Sequence, residues 1–397
     1  MRIRTKILLV ASLAFITVAT LTIFRFRGAL PAALPAKSPA DLINKVENKN
    51  TGATVNEPGL QIADGFNISY FAKGVEGARV LMIDSGGTLL VSQPGEGKVV
   101  ALPDKNKDGK ADSTVTVLDG LDRPHGLAER DGKLYVAEVQ KLSRYNYDPE
   151  NLKPTSGEQL TTLPSGGRHS TRTLGFDKSG KLYISVGSTC DVCVEADEKL
   201  ATILSYNPQT KQTEIFAKGL RNSVFFDFHP QSDKIWATEM GRDFLGDNLP
   251  PDEINIIEQK KDYGWPYCYG DRVRDNKFES DSSKSCSQTE PPVYKLCAHC
   301  APLGVRFVES KLFPESWQKD LLVSLHGSWN STRPVGYKVV KLNVEGDKVV
   351  GEEDFISGFL NGSQAIGRPV DLIFDDSGNL YVSDDKAGVI YRVWRQN

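Results

Sequence analysis

One phrase of apolar and polar positions returns six times along this chain. Each copy has a proline or small residue, a short apolar run, an Asp/Gly turn, then a second run rich in Leu, Tyr, Ile and Val. The copies are Arg79–Pro94, Pro124–Val139, Thr173–Ser188, Asn222–Gly241, Pro302–Gly327 and Pro369–Lys386. Two alternating runs about a tight polar turn predict a β-hairpin, and a further apolar run follows most copies. The turn glycines Gly86, Gly132 and Gly180 recur about every 47 residues, the period of propeller blades with about four strands each. No long stretch keeps the 3.6-residue period of a helix. The predicted fold is therefore all-β, a six-bladed β-propeller spanning residues 59–397. Lys260–Ala301 reads as a loop insertion between the fourth and fifth copies.

Composition narrows the class. The chain carries 48 basic and 51 acidic residues, a net charge of -3, so no basic surplus calls for nucleic acid as a partner. Arg2, Arg4 and Lys6 precede an apolar run from Ile7 to Phe24. Residues 1–28 thus read as a signal peptide or an N-terminal membrane anchor, and 29–58, Ala/Pro-rich and then polar, as a flexible linker. Export predicts a periplasmic or extracellular protein. The six cysteines are Cys190, Cys193, Cys268, Cys286, Cys297 and Cys300. Two Cys-x-x-Cys pairs also suit zinc, but an oxidising compartment argues for disulfides. Cys268–Cys286 is the bridge expected to staple the insertion.

A propeller builds its site at one mouth of the central channel, so functional residues belong at equivalent places in different copies. Just before the first run of several copies stand His125, His169 with Arg172, Arg221-Asn222, His299 and Arg368, while His326 ends the second run of the fifth. Four of the chain's five histidines and three arginines at such places predict a pocket that binds an anion and carries a general base.

From here the residues resemble a known family. Gly219-Leu220-Arg221-Asn222, Asp252-Glu253-Ile254-Asn255 and Tyr263-Gly264-Trp265-Pro266, in that order, look like the glucose/sorbosone dehydrogenases, soluble PQQ-dependent sugar dehydrogenases on a six-bladed propeller. The likeness runs from about Gly59 to the C-terminus. It implies that Arg221, Asn222, His299, His326 and Arg368 hold PQQ, an orthoquinone with three carboxylates. It implies that His169 is the catalytic base and that Arg221 also stabilises charge on the reduced quinone. It implies a Ca²⁺ ion bound through backbone carbonyls of the turn at Gly241-Arg242. Ser188 stands where glucose-oxidising relatives carry the aspartate that orients the base, and Asp191 or Glu195 is a substitute. Ser188 before a Cys-x-x-Cys, and His299 before Ala-Pro-Leu-Gly, resemble the sorbosone-type branch.

A second metal candidate is the run Asp104, Asn106, Asp108, Lys110, Asp112, which follows EF-hand spacing with Gly109 at position 6 and Val115 in place of the bidentate Glu. The functional expectation is PQQ- and Ca²⁺-dependent oxidation of an aldose or related aldehyde. No Cys-x-x-Cys-His haem motif is present, so electrons leave to a separate acceptor. The alternatives are a metal-dependent lactonase and a non-catalytic sugar- or protein-binding propeller.

Overall fold

In the computed structural model, which describes residues 54–55, 58–165 and 167–395, each of the six copies supplies the two inner strands of its own antiparallel sheet. Blade 1 is built from Leu81–Ile83, Leu89–Gln93, Lys98–Leu102 and Val115–Leu118 in spatial order from the channel outwards. Blades 2 to 4 begin at the innermost strands Leu127–Arg130, Leu174–Phe176 and Phe226–Phe228, and blades 5 and 6 at Pro302–Phe307 and Pro369–Phe374. The second strands, such as Leu182–Val186, Ile235–Glu239 and Leu380–Asp384, are buried along their whole length. Neighbouring blades cover both their faces, which is why they read as near-continuous apolar runs. Outer strands such as Thr155–Thr162 face water on much of their length.

The hairpin turns share one device. The carboxylates of Asp84, Asp177 and Asp375 accept the backbone N–H four residues on, from Thr88, Lys181 and Asn379, at 2.8–2.9 Å. Gly180 and Gly378 then take φ of +88° and +87°, a conformation costly for residues with a Cβ. In the first copy Gly87, not Gly86, is the left-handed residue, at φ +82°.

A belt of buried hydroxyls ties blade to blade. Ser185 Oγ accepts from Thr173 N at 2.9 Å and donates to Val224 O of the next blade at 3.0 Å. Thr238 Oγ1 donates to Leu303 O at 2.9 Å. Ser383 Oγ accepts from Asp371 N at 3.0 Å and donates to Arg79 O at 2.7 Å, joining the last blade to the first. The ring is sealed by Phe66–Lys73, which pairs antiparallel with Val389–Arg395 as the outer strand of blade 6. Gln61–Ile62 instead extends blade 5 beside Lys348–Ser357 and carries Thr54–Val55 on its outer side. Those last two residues lie in the stretch expected to be a linker.

The insertion returns to the ring at Tyr294–Lys295, the outermost strand of blade 4. All six cysteines are paired, as Cys190–Cys193, Cys268–Cys286 and Cys297–Cys300. The N-terminal apolar run lies outside the described residues, among which no helix is long and apolar enough to cross a membrane.

Ser383→Ala leaves the buried Asp371 N–H and Arg79 C=O without this shared partner. It is expected to cost about 1–3 kcal/mol, read by denaturant unfolding. Ser377→Ala on the exposed turn of the same blade should change stability by less than about 0.5 kcal/mol.

Candidate functional site

His169, Arg221, Asn222, His299, His326 and Arg368, with Gly241, line one cavity of about 400 Å³ at a channel mouth. His169, Arg221-Asn222, His299 and Arg368 precede the innermost strands of blades 3, 4, 5 and 6, and His326 follows the second strand of blade 5. They meet because the ring closes.

Each cavity imidazole is held by one nitrogen. Ser188 Oγ donates its single proton to Cys190 O at 2.7 Å, so it accepts from His169 Nδ1–H at 2.8 Å. That tautomer leaves the Nε2 lone pair free to take a proton. His299 Nε2 donates to Gly246 O at 2.7 Å, and His326 Nε2 donates to Asp385 at 2.9 Å. Neither proposed substitute for the family's aspartate backs His169. Asp191 receives Arg221, and Glu195 receives Thr189 N and Oγ1. The fully buried Arg172 donates to the carbonyls of Pro164, His169 and Thr171, supporting the His169 segment from behind.

Burial, then the Arg221 and Arg168 charges, push the His169 pKa down to about 3. The ring is therefore neutral at physiological pH, as a base requires. His326 is also held below its ordinary value, because burial outweighs the adjacent Asp385. Burial raises Asp252, which accepts from Gly241 N and Ala301 N, to about 7.

Most of the cavity's cations are matched by acids. Arg221 donates from Nη2 to Asp191 at 2.8 Å and Asp243 at 3.2 Å, and from Nε to Asp191 O at 2.9 Å. Arg168 meets Asp243 at 2.6 Å, and Arg79 meets Asp385 at 2.8 Å. Arg368 differs. Its Nε donates to His326 O at 3.0 Å and its Nη2 to Gly327 O, and it makes no ion pair among the described residues. A guanidinium held on carbonyls keeps its full charge for an incoming anion. The volume and donor set fit a flat polycarboxylate such as PQQ.

Other expected residues lie elsewhere. The Arg242 side chain turns away to Asp275, at 2.8 and 3.0 Å, so only its backbone remains as a metal ligand. His125 is buried against Phe225 and does not line the cavity. Asp104, Asn106, Asp108, Lys110 and Asp112 lie between the third and fourth strands of blade 1. The Asp104, Asn106 and Asp108 side chains accept from their own loop's backbone, and Asp112 from Lys105 N. Among the described residues the only grouping of three metal-ligating side chains is Cys190, Cys193 and Glu195, whose cysteines are bonded to each other.

The sequence did not point to Arg79, Arg168, Asp243, Asp252, Trp329 and Asn330, which also line the cavity. Arg79 stands just before an innermost strand, so the positional rule that found Arg368 also finds it. Trp329, half-exposed at the rim between Phe244 and Arg168, has no such signal.

A sequence profile of the TrAA12-like family matches residues 60–396. An uncharacterised protein of Borreliella burgdorferi is 34% identical over 84% of this chain and 90% of its own length. A pyrroloquinoline quinone-dependent pyranose dehydrogenase of Coprinopsis cinerea is 24% identical over 85% of this chain, which spans only 55% of that enzyme. The calcium structure of a Trichoderma reesei carbohydrate-active enzyme of family AA12 superposes with a TM-score of 0.74. The identity is 21%, covering 88% of this chain and 100% of that one, a likeness of fold.

The His169 shift has a signed consequence. A ring that titrates near 6.5 unfolded and about 3 folded favours folding above pH 6.5, and that contribution is lost as pH falls through this window. Between pH 7 and pH 5 the wild type should therefore lose about 1–2 kcal/mol of stability relative to His169→Gln. Parallel melting curves at both pH values would contradict it.

Proposed function

The chain belongs to the TrAA12-like family, among the soluble PQQ-dependent sugar dehydrogenases, and from that premise we propose that it oxidises an aldose or related, sorbosone-like aldehyde at the anomeric carbon. The observation that carries this reading is one cavity holding a neutral, oriented imidazole beside an unpaired guanidinium.

Arg221, Asn222, His299, His326 and Arg368 would hold the cofactor, with Arg79 and Arg168 adding positive potential. Bound PQQ supplies the acceptor for the hydride that leaves the substrate carbon. His169 Nε2 takes the hydroxyl proton as that hydride departs, so the sugar gives up a hydride and a proton, two electrons and two protons in all, and becomes a lactone. Ser188 keeps the base in the accepting tautomer. Arg221, aimed by two acids and two carbonyls, stabilises negative charge that develops on the acceptor side. Calcium is part of the proposal. The donor set offers no carboxylate cage, so the ion would rest on backbone oxygens of the Gly241-Arg242 turn and on the cofactor's own oxygens. A lactonase would need carboxylate ligands at the channel centre, and this mouth is rich in His and Arg instead. Three disulfides favour a periplasmic or extracellular setting, and electrons pass to a separate acceptor.

Reconstitution with PQQ and Ca²⁺, followed by absorbance before and after aldoses are added, tests the reading. His169→Ala should lower kcat about 10²–10⁴-fold while the PQQ dissociation constant changes little. Turnover that survives the substitution overturns the role of His169, and absence of PQQ binding overturns the cofactor.

A further inference from the structure

The base and the Arg221 guanidinium hang from the same four residues. Cys190, Asp191, Val192 and Cys193 form a small ring closed by their own disulfide. From one end, Cys190 O accepts from Ser188 Oγ, and that hydroxyl accepts from His169 Nδ1. From the middle, Asp191 receives Arg221 twice, at its backbone carbonyl and its carboxylate, and also caps Asp243 N at 2.8 Å. The insertion grips the ring from outside. Trp265 Nε1 donates to Asp191 O at 3.2 Å, and Lys277 Nζ to Val192 O at 2.6 Å. Glu195 then anchors Thr189, whose own carbonyl accepts from Arg168 N at 2.9 Å.

A tetrapeptide without regular structure would sample many carbonyl directions. Here two carbonyls and one carboxylate must point at three different groups together. A carbonyl that swings away from Ser188 frees the hydroxyl to donate to Nδ1 instead. The imidazole then carries its proton on Nε2, where a base must be bare. The same movement unhooks the Arg221 fork.

We propose that the Cys190–Cys193 disulfide ring is a positioning element shared by the two halves of the site, setting the His169 tautomer through Ser188 and the aim of Arg221 through Asp191. The proposal rests on the roles given above to His169 and Arg221. It gives the ring a task that the Cys268–Cys286 and Cys297–Cys300 bridges do not share.

The test has two readouts on the full chain. Ring ¹⁵N chemical shifts report the His169 tautomer without any cofactor, and calorimetry reports PQQ affinity. In the wild type the Nδ1–H form should dominate. Replacing Cys190 and Cys193 together with serine should mix the tautomers and weaken PQQ binding at least about 10-fold, as expected for losing a charge-assisted fork. Cys268→Ser with Cys286→Ser, which loosens only the outer grip of Lys277, should lower stability and move both readouts less than the Cys190/Cys193 change. Ser188→Ala keeps the ring and cuts its link to the base, so the tautomer preference should be lost while PQQ affinity stays within about two-fold. A cooperatively folding Cys190/Cys193 variant with wild-type tautomer and affinity overturns the proposal. So does a Ser188→Ala protein that keeps the Nδ1–H form, even if the cysteine variant does not fold. Absence of PQQ binding by the wild type would fell the cofactor reading alone, because the tautomer arm needs no cofactor.

Discussion

The molecule depends on a single seam. Phe66–Lys73 must find Val389–Arg395, more than three hundred residues away in sequence, before blade 6 is complete. Ile68 and Val393 meet there in one buried cluster with Phe355 and Phe359 of the neighbouring blade. The Ser383 hydroxyl bonded to Arg79 O repeats the closure at the channel wall. Without the seam, blades 1 and 6 have exposed faces, and the channel has no mouth. Every functional contact that spans that boundary, the Arg79–Asp385–His326 chain first among them, exists only in the closed ring.

Within that ring the site is a balance of charge with one deliberate surplus. Arg79, Arg168 and Arg221 face Asp385, Asp243 and Asp191. This pairing orients the guanidinium groups and lets them be buried, since unpaired buried charges are costly. Arg368 is held by two carbonyls and the face of Tyr337, with no acid beside it among the described residues. Burial first, and then the Arg221 and Arg168 charges, keep His169 neutral. The groups that attract an anion thus prepare the base, and neither property belongs to one residue.

The fold was legible because it repeats. Six hairpins of one phrase, each with a buried second strand, became six sheets, and the bridge expected at Cys268–Cys286 is present. The site was legible as far as backbone position determines it. Residues before an innermost strand reach the mouth, which holds for His169, Arg221 and Arg368, and would have held for Arg79. The rule overreached at His125 and Arg172, whose side chains turn into the protein at the same position along the blade. What a linear reading lacks is side-chain direction and long-range partners. Ser188 looked like a weak replacement for a carboxylate until its bond to Cys190 O defined which way it donates. The Arg242 guanidinium has its partner, Asp275, in the insertion 33 residues on, which no local pattern announces. The outer strands at Gln61–Ile62 and Thr54–Val55 are too short to carry a pattern, and only the neighbouring edge of blade 5 makes them strands.

The seam also sets an order of events during biosynthesis. The ribosome makes Phe66–Lys73 before any blade and its partner Val389–Arg395 only after all the other blade strands. A nascent chain can stack blades 1 to 5 as they emerge, but Phe66–Lys73 waits unpaired until Val389–Arg395 has been made. Arg79 likewise waits for Asp385. An incomplete chain therefore carries an open sheet edge and no finished cavity. Pairing of that late-made strand turns a row of blades into an enclosed chamber.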